Sequence, residues 1–156
     1  MQSLRRELES FHGREDRDAL AKLWPQLGHA DRAIRGAARA ALEWQPTDQW
    51  KQRALDETEP RTALQSLLAL SRSTDGDAAV QPALLAALER FDFAKLGADE
   101  QCWYLRIITV SATRHGMYPP DIAAKLTARF ESALPSADPR VNEEIIAACA
   151  ALHSHS

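Results

Sequence analysis

The stretch 29-HADRAIRGAARAALEWQP-46 decides how this chain is read. Asp31 stands where a helix begins: its carboxylate can accept from the free amides of the first turn, and it faces the positive end of the helix dipole. Ile34, Ala38, Ala41 and Leu42 follow at helical spacing, and Pro46 cannot continue the helix. The intervening alanines lose no side-chain freedom on becoming helical. At 100° per residue, Arg32, Arg35 and Arg39 fall within about 60° of one another, on the side away from Ile34 and Ala41. An amphipathic helix of 14 residues, 31–44, is the expectation.

The same punctuation recurs in both directions. Ser3 can cap 3-SLRRELESFH-12, with Gly13 ending it. A helix over 16–27 carries Ala19, Leu20, Leu23 and Leu27 on one face, and Pro25 closes its last turn. Thr47 is expected to cap 47-TDQWKQRALDE-57, and Pro60 to open 60-PRTALQSLLALSRS-73. The loop 73-STDGD-77 leads to 78-AAVQPALLAALERF-91, and Phe93 and Leu96 pin the link that follows. In 98-ADEQCWYLRIITVSATRH-115 the run 105-LRIITV-110 is rich in β-branched residues, yet alternation fails on both sides and Gly116 supplies a helix stop. Helices over 120–134 and 138–153 complete the chain, the last capped by Asp138 with Pro139 at its first position. No strand pair, Asn-Gly hairpin or glycine-rich phosphate loop interrupts them. The fold class is all-α.

Composition agrees. In 156 residues there are only six glycines, and 45% hydrophobic content suffices for a core without disulfides or metal. A formal charge of −3 gives no general attraction for nucleic acid or anionic lipid. Cys102 and Cys149 form neither a disulfide framework nor a zinc set, and read as buried free thiols. No run approaches the ~18 apolar residues of a membrane span, and no targeting signal fixes a compartment.

Paired, the helices show a period. After a cap helix in 1–13 come repeats of about 16–44, 47–73, 78–116 and 119–153, with residues 154–156 as a disordered tail. The second helices begin near 31, 60, 98 and 138. A lone hairpin cannot bury enough apolar surface, whereas stacked hairpins share a continuous core. The pattern Asp31-x-x-Ile34-Arg35-x-x-Ala38-x-x-Ala41-Leu42 resembles the second helix of a HEAT repeat. With 67-LLALSR-72, 84-LLAALERFDFAKL-96, 105-LRIITVSATRHG-116 and 134-LPSADPRVNEE-144, nearly the whole chain resembles the HEAT-like segment of large bacterial proteins of planctomycete type. In those proteins a propeller-like, dehydrogenase-related domain precedes the helices and a c-type cytochrome domain often follows. The resemblance implies a right-handed α-solenoid of about four hairpins forming one domain, 1–153, with any catalytic machinery outside it. Gly36 stands where the resemblance implies an aromatic residue. No Cys-x-x-Cys-His is present, so no haem attachment is expected.

Chemistry-bearing groups are sparse. His12, His29 and His115 lack metal-protease spacing; His115 suits a helix C-terminus, where a cation meets the dipole. His29 precedes Asp31 in a turn, but nothing supports a catalytic pair. Early acids such as Asp99, Glu100, Glu143 and Glu144 are explained by helix dipoles. Trp24, Trp44, Trp50 and Trp103 read as packing residues, with Trp44 and Trp50 able to clasp the turn 45-QPTDQ-49. No catalytic residue, metal site or cofactor is expected.

The arginine stripe has three readings: a solvated face in which Arg35 also bonds the aspartate or carbonyls of the next repeat, a contact for an acidic partner or anionic ligand, or a DNA-backbone contact. The expected role is a non-catalytic protein-interaction or spacer module, with Arg32, Arg35, Arg39, Arg72 and Arg106 as the candidate partner-binding face. Its partner would be an unidentified protein or neighbouring domains of a parent chain, without membrane insertion. The alternatives are a helical segment of an exported, cytochrome-bearing dehydrogenase-like enzyme, or a nucleic-acid-binding HEAT-like protein.

Overall fold

The computed structural model describes residues 2–154, and every regular element among them is helical. Its α-helices are α1 (Gln2–Glu9), α2 (Ala19–Leu23), α3 (Arg32–Glu43), α4 (Lys51–Asp56), α5 (Pro60–Ser73), α6 (Val80–Leu88), α7 (Ala98–Arg114), α8 (Pro120–Glu131) and α9 (Pro139–His153). Short 3₁₀ turns occupy Trp24–Gln26, Thr47–Gln49 and Phe93–Lys95. Ser154 follows α9 as a turn; the rest of the expected tail lies outside the described residues.

The signals in the opening stretch act as expected. The Asp31 carboxylate accepts from the amides of Ala33 and Ile34, and those two bonds hold its pKa below the usual carboxylate range. Ile34, Ala38, Ala41 and Leu42 are buried. Asp138 likewise caps α9 through the Arg140 amide. The segment 105–110 is helical throughout, inside α7. Helix propensity is a weak prior, and here burial overrides it: Leu105, Ile107 and Ile108 are fully covered.

Several helices are shorter than their apolar patterns. Pro25 lacks an amide hydrogen, so α2 stops at Leu23 and tightens into the 3₁₀ turn around it. Thr47 makes no cap bond; it opens a 3₁₀ turn, and α4 starts only at Lys51. Trp50 is the cause. It is fully buried, its indole donates to the Gln45 carbonyl at 3.1 Å, and its backbone at φ −134° interrupts the helix. Trp50 alone therefore clasps the 45–49 turn, while Trp44 is 56% exposed.

The helices gather into two compact units, one ending at Ser73 and one beginning at Thr74. In the first, α3 lies between α1 and α5 and also packs on α2, while α4 packs on α5. Residues 63–71 of α5 are all buried, as befits a helix apolar on most sides, and Ser66 and Ser71 donate their hydroxyls to the Ala63 and Leu68 carbonyls. In the second unit α7 and α9 are the main partners, with α8 against α9 and α6 against α7. Phe93, Tyr104 and Phe130 form an aromatic knot there, with ring centroids 5.3 to 6.2 Å apart and edges toward faces.

Gly36 sits mid-helix in α3, and a β-carbon added there would meet nothing within 4 Å. Glycine at such a position costs about 1 kcal/mol relative to alanine. Gly36→Ala is therefore expected to raise stability by about 0.5–1 kcal/mol, measured as the shift in urea unfolding midpoint at unchanged slope.

Candidate functional site

Four of the five candidate arginines, Arg32, Arg35, Arg39 and Arg72, belong to the first unit, on α3 and α5; Arg106 is on α7 in the second. They are not equivalent. Arg35 is 6% exposed, and its Nη1 donates to the carbonyls of His29 (2.7 Å) and Ala30 (3.1 Å). A guanidinium folded back onto the turn before its own helix holds the corner between α2 and α3. The carbonyl partner anticipated for Arg35 is real, but it lies in its own hairpin.

Arg39 and Arg72 converge on one acid. Glu43 Oε1 lies 3.1 Å from Arg72 Nε and 3.7 Å from Arg39 Nε, which ties α3 to α5. Arg106 pairs with Glu144 and so ties α7 to α9. Arg140, whose role no local sequence pattern marks, bridges Asp99 on α7 (2.9 Å) to its own cap residue Asp138 (2.7 Å). Arg32 is exposed and makes no ion pair among the described residues.

Charge is distributed unevenly. The first unit carries twelve basic and eleven acidic side chains, the second seven and eleven. Basic residues thus grow scarcer along the chain, and several of those present are neutralised by helix-to-helix partners.

Other polar groups brace corners. His12 Nε2 donates to the Ala37 carbonyl at 3.0 Å, and Gln45 donates to the Arg14 carbonyl at 3.0 Å while accepting from the Asp16 amide at 2.9 Å. The Trp24 indole donates to Glu57 at 2.8 Å, and the Arg53 guanidinium stacks 4.3 Å above the same ring. Burial alone would raise the pKa of Glu57, but the Trp24 bond and the Glu59 and Thr58 amides together bring it below the ordinary value. His29 Nδ1 accepts from the Asp31 amide at 2.9 Å, which makes it a turn residue.

His115 departs from its expected role. It does end α7, but it is buried, with Nδ1 3.0 Å from Ser111 Oγ and Nε2 3.0 Å from Thr74 Oγ1. Burial pushes its pKa down, outweighing the Thr74 bond and the nearby Asp75 and Asp77. The imidazole is neutral, then, and acts as a polar rivet. Its contact with Ser111 is no nucleophile pair, because Ser111 is fully buried in a helix interior. Gln81 completes the rivet by donating to the Gly116 carbonyl at 2.7 Å. Cys102 is buried as expected, whereas Cys149 is only half-buried; burial raises both thiols, and at Cys102 the Glu144 carboxylate adds to that effect while Arg140 and Arg106 oppose it. Among the described residues no group of three or more His, Cys, Asp or Glu could hold a metal ion, and no helix is long and apolar enough to cross a membrane.

These positions separate structural from surface arginines. Arg35→Ala leaves two carbonyls unpaired and is expected to cost about 1–3 kcal/mol in urea unfolding, whereas Arg32→Ala should leave the midpoint unchanged. For His115, the folded pKa lies below the unfolded value of about 6.5, so the unfolded chain takes the proton first. Stability is full above that pH and falls as pH drops through the unfolded value toward the folded one. Urea midpoints measured between neutrality and pH 5 should show the decline, and His115→Gln should flatten it.

No family model, curated protein sequence or solved structure matches the chain.

Proposed function

We propose that the chain is a non-catalytic interaction or spacer module, built as a right-handed stack of about four HEAT-like hairpins with α1 as its cap. One observation supports this reading above the others. Long polar side chains bridge positions separated by about one repeat: Arg72 to Glu43 across 29 residues, Arg106 to Glu144 across 38, and Arg140 to Asp99 across 41. Such bridges are what a quasi-one-dimensional stack requires, because each repeat is held by its neighbours alone. The placement of α3 between α1 and α5 has the same logic.

The partner-binding face would be the exposed side of the second helices. Arg32 and Arg39 on α3, Arg72 on α5 and Arg106 on α7 would meet an acidic partner, while Arg35 supports them by fixing the start of α3. Exposed Trp44 at the other end of α3 supplies an aromatic anchor of the kind that dominates interface energetics. A protein partner fits this arrangement better than DNA, since the second unit carries an acidic surplus and offers no basic track.

The spacer reading, in which the helices only position neighbouring domains such as those of an exported dehydrogenase-like, cytochrome-bearing parent, has its own support. Arg72, Arg106 and Arg140 already hold acids of adjacent helices, which reduces the charge left for recognition.

The two readings diverge under charge reversal. If α3 binds a partner, Arg32→Glu with Arg39→Glu should abolish affinity capture from source-cell extract at a temperature where circular dichroism shows parent and variant both folded, although loss of the Arg39–Glu43 pair lowers the unfolding midpoint. Recovery of the same proteins in the same amounts by parent and variant would remove the binding face and leave the spacer. The same double variant should bind duplex DNA no differently from the parent at physiological salt.

A further inference from the structure

The second unit holds a groove of about 410 Å³ where the ends of α6 and α8 meet the 3₁₀ turn Phe93–Lys95. Glu89, Phe91, Asp92, Phe93, Arg129 and Ser132 line it. That volume is within the range of small-molecule sites. The floor is rigid, because Phe93 belongs to the aromatic knot with Tyr104 and Phe130.

The charges in the groove are arranged unusually. Arg129 Nη1 donates to the Tyr104 hydroxyl at 3.2 Å, its one side-chain hydrogen bond among the described residues. Tyr104 is fully buried, and burial raises its pKa, so the hydroxyl stays neutral and only orients the guanidinium without discharging it. Glu89 lines the same space, yet it forms no ion pair with Arg129, and its carboxylate has no hydrogen bond among the described residues. Asp92 is partly engaged: one oxygen accepts from the Ala94 amide at 3.2 Å, the other is 3.6 Å from Lys95 Nζ. The Ser132 hydroxyl donates to the Arg129 carbonyl and keeps its lone pairs. Both α6 and α8 end at the rim, where carbonyl dipoles favour a positive group.

A simple anion would meet Arg129 but also Glu89, Asp92 and two helix C-termini. A simple cation would meet Glu89 but also Arg129. A molecule carrying both signs satisfies both groups at once, and its apolar part finds Phe91 and Phe93 in the same lining. We propose that this groove binds a small zwitterion, an α-amino acid with an apolar side chain, whose carboxylate pairs with Arg129 and whose ammonium pairs with Glu89. The guanidinium fork suits a carboxylate in two-point contact. Ser132 Oγ is an additional acceptor for the ammonium, and the Asp92 carboxylate adds negative charge beside it. The side chain packs on the exposed part of Phe91 over the Phe93 edge. The site shares no residue with the arginine face and stands whether or not that face binds a protein.

The chemistry can be dissected with ligands that each lack one charge. In titrations of the whole chain followed by amide NMR shifts, L-phenylalanine or L-leucine should move the resonances of residues 89–94 and 129–133 saturably. L-Phenylalaninamide, which lacks the carboxylate, and N-acetyl-L-phenylalanine, which lacks the ammonium, should each bind at least tenfold more weakly. Arg129→Gln and Glu89→Gln alter exposed side chains and should each cost at least tenfold in affinity, whereas Lys125→Gln, elsewhere on α8, should cost nothing. A tripeptide ending in phenylalanine separates the two charges and tests a peptide C-terminus as the source of the same chemistry; it should bind at least tenfold more weakly than the free amino acid. The proposal is overturned if neither amino acid shifts these resonances, if amide, acetyl derivative and tripeptide bind as well as the parent compound, or if the Arg129 and Glu89 variants bind unchanged.

Discussion

Short helices joined by tight corners leave many peptide carbonyls and amides without helical partners, and this chain satisfies several of them with long polar side chains from elsewhere. Arg35 reaches back to the carbonyls of His29 and Ala30; Gln45 bonds Arg14 and Asp16; Gln81 bonds Gly116. A buried peptide group left unpaired costs about as much as a lost hydrogen bond, so each corner depends on its own brace. The apolar stripes decide that helices pack. The braces decide at which register they do so.

Most long-range braces span a similar distance along the chain. Trp24 to Glu57 covers 33 residues, Gln81 to Gly116 covers 35, Arg114 to Asp75 covers 39 and Thr74 to His115 covers 41. Each lies within one of the two units. These four braces therefore join helices or corners that lie 33 to 41 residues apart along the chain. Arg114–Asp75 lies on open surface, where a salt bridge is worth little, whereas the buried side chains of Gln81 and His115 meet less competing water and their bonds resist loss.

What could be read from residues alone followed the directness of each signal. Asp31, Asp138 and Pro60 act within one turn of where they stand, so α3, α9 and α5 were legible to within a residue or two. Trp50 was not, because its effect on α4 comes from a buried indole bonded to Gln45, a tertiary event without a local mark. His115 failed for the same reason: position at a helix end suggests a cation, while burial between Ser111 and Thr74 makes it neutral. The arginine stripe was legible as a pattern but not as a set of roles. Spacing puts Arg32, Arg35 and Arg39 on one side of a helix, yet only coordinates separate the buried brace from the exposed residue. The groove beside Arg129 left no sequence signal, because Glu89 and Arg129 are forty residues apart and nothing in their spacing pairs them.

That division bears on recognition. An arginine already paired with an acid on the next helix offers a partner little net charge, because the incoming group must displace the resident one. An arginine or glutamate held apart from any counter-charge offers its full field. By that criterion Arg72 and Arg106, engaged by Glu43 and Glu144, are weak recognition elements, and Arg32, Glu89 and Arg129 are strong ones. A scaffold that neutralises most of its charge internally makes the few uncommitted groups stand out, and those groups determine which ligands and partners the surface can distinguish.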